Sequence, residues 1–70
     1  MTADDWITAF AARLGVTPPD AATIDELLAV AGVAAHASER TAAPITCFLI
    51  GASGVSPADA ATIAQDLAGA

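Results

Sequence analysis

Apolar side chains recur along this chain at helical spacing, and most of the recurrences open on a polar cap and close on Gly or Pro. In "TADDWITAFAARLG", Trp6, Phe10 and Leu14 fall at i, i+4 and i+8 with Ile7 beside them, which predicts an amphipathic helix over residues 3–14. Thr2 stands at the N-cap with Asp5 three residues on. Asp4 and Asp5 place negative charge in the first turn, and Arg13 precedes Gly15 at the other end. The stripe predicts that Trp6, Phe10 and Leu14 face a core.

Pro18 and Pro19 forbid continuation, so "VTPPD" is a loop. "TIDELLAVAGVAAHASER" restarts the pattern, with Thr23 as N-cap, Glu26 at the capping-box position, and Ile24, Leu27, Leu28, Ala31 and Ala35 on one stripe. A second helix over 24–39 follows. Gly32 in its middle costs about 1 kcal/mol relative to alanine. With Ala31, Ala34 and Ala35 around it, Gly32 predicts a close helix-helix contact.

The next segment, "TAAPITCFLIGASG", carries Pro44 within a first turn, where a missing N–H costs least. Ile45, Phe48, Leu49 and Ala52 form one face and Cys47 and Ile50 another, so a helix over 43–53 is expected to be the central, most buried element, with Gly54 as its C-terminal stop. "SPADAATIAQDLAGA" opens on Ser56 as cap, Pro57 at the first helical position and Asp59 as reciprocal partner. It predicts a fourth helix to residue 68 with Ile63 and Leu67 inward. Four short helices with connections of about 2 to 9 residues predict an all-α fold, a compact bundle forming one domain over residues 1–70.

Composition sharpens this picture. Hydrophobic residues make up 56% of the chain, but twenty residues are alanine, which packs closely and buries little area. A core of this size supplies roughly 3 to 5 kcal/mol of net stability, so a protein partner or a homo-oligomer would help. Two basic residues against eight acidic ones give a net charge of −6, which repels phosphate backbones and anionic lipid and argues against nucleic acid and membrane partners. The longest apolar run, Ala42–Ala52, is about half of what crosses a bilayer. An acidic "MTADDW" start without signal-peptide order and a single Cys make a cytoplasmic location the simplest expectation.

The chemistry-bearing residues gather in "AHASERTAAPITCFLIG". His36 and Arg40 are one turn apart and precede the free N–H groups expected near Thr41–Ala43, where a small anion would meet Arg40. Glu39 sits between them and offsets part of their charge. A helix-end cation is also favourable without any ligand. Acid-base catalysis by His36 requires a second group within reach, and Cys47 lies two to three turns away inside an apolar helix, where it reads as a core thiol. One His and one Cys are two of the four ligands that structural zinc requires. Asp4–Asp5 and Asp25–Glu26 occupy first turns and compensate helix dipoles. Comparison with acyl and peptidyl carrier domains fails at the attachment serine: the corresponding stretch, Thr23–Leu27, has none, and Ser53 in "GASG" is only a formal substitute. The residues therefore predict no enzyme, no cofactor and no metal.

"DDW", "LLAVAGVAAHASERTAAPITCFLIG" and "ADAATIAQDLA" together resemble a small actinobacterial domain family of unknown function, found alone or as a C-terminal extension of molybdenum-cofactor guanylyltransferases. The matching positions are Asp5, Trp6, Ala35, His36, Arg40, Ala42, Ala43, Pro44, Thr46, Phe48, Leu49 and Gly51, while Ile45 and Cys47 depart conservatively. That resemblance implies an accessory role in molybdenum-cofactor maturation or delivery, with a guanylyltransferase or molybdoenzyme as partner, and identifies no reaction. The chain is accordingly expected to be a noncatalytic interaction module whose contact surface includes His36, Glu39, Arg40 and Thr41. The alternative is a small anionic-ligand-binding domain at the same helix junction.

Overall fold

The computed structural model describes every residue from Met1 to Ala70 and contains four α-helices and no strand. They are α1 (Ala3–Leu14), α2 (Ala21–Ala37), α3 (Ala42–Ser53) and α4 (Pro57–Ala68), arranged as an all-α bundle. No helix is long and apolar enough to cross a membrane.

The ends of α1 and α4 follow local chemistry as expected. Thr2 Oγ1 accepts the Asp5 N–H at 3.1 Å, and Gly15 at φ 77° terminates α1 with its N–H directed at the Ala11 and Ala12 carbonyls. Ser56 Oγ accepts the Asp59 N–H at 3.1 Å, with Pro57 opening α4.

The start of α2 corrects the expectation. It begins at Ala21, because Asp20 rather than Thr23 is the N-cap: the Asp20 carboxylate accepts the Thr23 N–H at 2.8 Å. Coming straight after two prolines, Asp20 already has the extended backbone a cap requires, and Thr23 falls in the first turn as its donor. Hydrogen bonding to the Thr23 side chain, and secondarily to its backbone, holds the Asp20 carboxyl below its ordinary value. The helix also ends two residues early, at Ala37, where the Ser38 hydroxyl and N–H both donate to the Ala34 carbonyl, at 2.7 and 3.1 Å.

Packing departs further from the helical-wheel expectation. The hub is α2, which packs against both α3 and α4, whereas α3 and α4 form no comparable contact with each other, and α1 makes no broad contact with any helix. Only Ala11, Val30, Ile50 and Ala60 are buried. Val30 is the single large side chain almost wholly enclosed, at 1% exposure. Val30, Ile50 and Ala60 form the core, with Leu27, Ala61 and Ala64 packed around it. Trp6, Phe10 and Leu14, expected inside, lie at the surface, with Trp6 58% exposed. Nor is α3 the buried centre: Ile45, Phe48 and Leu49 are exposed, and only Ile50 is buried. Ile63 and Leu67 are uncovered, at 58% and 75% exposure. Gly32 makes no close contact, since a Cβ built there meets nothing within 4 Å. One cause links these corrections: too few bulky residues are divided among four helices to close all their apolar faces at once. The radius of gyration is 12.5 Å and the extents are 38 × 23 × 19 Å, against about 11 Å for a close-packed chain of this length.

Candidate functional site

Two surfaces merit attention: the junction of α2 and α3, and a groove beside it. At the junction, His36, Glu39, Arg40 and Thr41 are all exposed. His36 Nδ1 lies 2.7 Å from the Gly32 carbonyl oxygen. A carbonyl can only accept, so Nδ1 carries the proton and donates, leaving Nε2 free for an outside partner. That bond draws the ring back along α2, away from Arg40. The helix also stops between the two residues, with Ser38 at φ −140° and ψ −103°, so His36 and Arg40 do not share a continuous helical face as the spacing suggested. Glu39 and Thr41 instead line a shallow depression with Ser38, Ala42, Ile45 and Thr46.

The start of α3 is less available to an anion than the sequence suggests. Thr41 makes no side-chain cap. The Ala42 N–H donates to the Glu39 carbonyl at 2.9 Å and the Ala43 N–H to the Arg40 carbonyl at 3.2 Å. Residue 44 is proline and has no N–H. Two of the three donors at Thr41–Ala43 are therefore engaged within the turn itself.

The groove was not anticipated. The C-terminal half of α2 forms its floor through Val30, Val33 and Ala34, and α3 and α4 form its walls, from Leu49 on one side to Ile63 and Leu67 on the other. Its volume is about 630 Å³, and no charged residue lines it. The signal available in the sequence was the absence of any charge from Thr41 to Ala58, a stretch longer than one buried helix requires. Cys47 is half-buried with a free thiol and lies outside the groove lining. No three His, Cys, Asp or Glu side chains come close enough to share a metal ion.

A family model for a domain of unknown function matches residues 1–70. No curated protein and no solved structure matches the chain.

Proposed function

The chain belongs to the family Domain of unknown function (DUF6457) over its whole length, and we propose that it acts as a noncatalytic interaction module in the cytoplasm. Its role in this reading is the maturation or delivery of the molybdenum cofactor, molybdopterin guanine dinucleotide, through contact with a molybdenum-cofactor guanylyltransferase or a molybdoenzyme. The observation that carries the proposal is the α2–α3 junction, where His36, Glu39, Arg40 and Thr41 are all exposed, Glu39 and Thr41 line a depression, and His36 keeps Nε2 free. Hydrogen-bond donors and acceptors and both signs of charge in one short exposed stretch suit recognition of another protein surface. The molybdenum link is supported by the sequence resemblance at Asp5, Trp6, His36, Arg40 and the positions that follow.

The anionic-ligand reading is the weaker one, since the α3 amide donors it needs are already bonded to Glu39 and Arg40. The test is direct binding of the purified chain to a purified molybdenum-cofactor guanylyltransferase and to a molybdoenzyme, followed by titration of His36→Ala and Arg40→Ala. Binding weakened by both variants, with helicity unchanged by circular dichroism, is the expected outcome. Failure of the unaltered chain to bind either protein removes the molybdenum link, and equal binding by the variants removes the junction.

A further inference from the structure

Two apolar surfaces of this chain lack a cover, one a groove and the other a stripe along a helix. One is the groove without a charged side chain, floored by α2 and walled by α3 and α4, which make no broad contact with each other. The other is the outer face of α1, where Trp6 and Phe10 stack with ring centroids 5.8 Å apart and planes 11° from parallel, and Leu14 continues the stripe. Beside that stripe Ile7 is half-buried and Ala11 buried, and no residue of α1 lines the groove, so these aromatic rings do not cover it within one chain.

The surface area indicates how much covering is missing. A folded monomer of 6.9 kDa exposes about 4,000 Å², whereas this chain exposes 5148 Å². The excess of about 1,100 Å² per chain exceeds the roughly 800 Å² that each partner contributes to a stable interface of standard size. A chain holding both a convex aromatic stripe and a concave apolar slot satisfies both at once by reciprocal exchange, which is the self-complementary geometry of a two-fold dimer.

We infer that this protein associates with a second copy of itself through these two surfaces, the Trp6–Phe10–Leu14 stripe of each copy entering the groove between α3 and α4 of the other. Each groove then gains the helix that the V of α2, α3 and α4 is short of, at the usual spacing of packed helices, about 8 to 10 Å. Both contact surfaces are uncharged at their centres while each copy carries a net charge of −6. Long-range repulsion therefore opposes the dimer, and added salt tightens it. A basic partner in the same groove would show the opposite salt dependence.

Trp6 is the only tryptophan, so its emission reports on the contact directly. The experiment follows the mass of the full chain by light scattering and its fluorescence by dilution, from near-millimolar to low-micromolar concentration, at low and high salt. The expected result is twice the monomer mass and a blue-shifted Trp6 emission at high concentration, both lost on dilution and both favoured by salt. Ile63→Glu and Leu67→Glu place charge on a wall side chain that is exposed in the monomer. Each should give the monomer mass and red emission at every concentration with helicity intact. Thr62→Glu, an equal charge on an exposed α4 residue outside the groove lining, should leave the dimer unchanged. A monomer with solvent-exposed Trp6 at all concentrations overturns the inference. So does a dimer that is indifferent to both groove variants.

Discussion

Replacing Gly32 by alanine should raise the melting temperature by about 7 °C, and the same replacement at Gly54 should lower it by at least as much. Both glycines have open space where a Cβ would stand, with nothing within 4 Å, so packing does not distinguish them. The backbone does. Gly32 lies inside α2 without a positive φ, whereas Gly54 closes α3 at φ 75°. At Gly32 the methyl group meets no clash and the helix gains about 0.8 to 1.0 kcal/mol from alanine's lower conformational freedom in the unfolded chain. At Gly54 the left-handed conformation places a Cβ against its own carbonyl at a cost of roughly 1 to 2 kcal/mol. An unfolding entropy of about 2.1 cal/mol/K per residue gives about 150 cal/mol/K for a chain this long, and dividing 1 kcal/mol by it yields the shift of about 7 °C. The assay is thermal unfolding by far-UV circular dichroism at a concentration where the chain is monomeric. A fall in melting temperature for Gly32→Ala would refute the reasoning, because it would mean that a neighbour occupies the space in front of Gly32. A rise for Gly54→Ala would refute the backbone argument separately.

Three further outcomes follow from features of the core and caps. Val30→Ala removes two methyl groups from the most enclosed side chain and should cost about 2 to 3 kcal/mol, read as a lower urea midpoint with an unchanged slope; a loss below about half a kcal/mol would show that the core lies elsewhere. Ser56→Ala removes the acceptor for the Asp59 N–H and should cost about 1 kcal/mol, while Ser56→Asp should retain most of the stability. Asp20 is held below its ordinary value of 3.8 in the folded chain, so its ionised form favours folding. Its contribution is complete above that value and is lost as the pH falls through the lower folded value. Acid unfolding of Asp20→Asn, which keeps a cap acceptor but does not titrate, should show a shallower loss in that window, and an identical acid limb would show that the cap is not coupled to proton uptake.

The helices were legible in the sequence wherever a local signal was complete. Thr2 with Asp5, and Ser56 with Pro57 and Asp59, place the starts of α1 and α4 because a cap and its donor are three residues apart and need no tertiary partner. The same rule misplaced α2, since Thr23 with Glu26 imitates a capping box while Asp20, hidden behind two prolines, makes the bond to Thr23. Which way a face points was not legible. Periodicity shows that Trp6, Phe10 and Leu14 share a stripe, but a stripe is equally regular whether it covers its own core or another surface. Ile63, Leu67 and the α3 face of Ile45 and Phe48 were assigned inward for the same reason. Of the candidate site, the exposure of His36 through Thr41 agrees with its polar composition. The break at Ser38, which separates His36 from Arg40, is a change of backbone conformation at one residue that no spacing rule reveals.

The looseness of α1 also bears on how the chain moves. Since Val30, Ile50 and Ala60 of α2, α3 and α4 form the core and α1 contributes Ala11 alone to the buried residues, opening of α1 in the monomer exposes Ala11 and Ile7 and leaves that core intact. Its amide protons should exchange with solvent through local fraying on short timescales, while those around Val30 wait for the whole bundle to open. The monomer is then a two-tier molecule in hydrogen exchange, with a slow unit of three helices and a fast arm that carries its only tryptophan, and the dimer slows that arm.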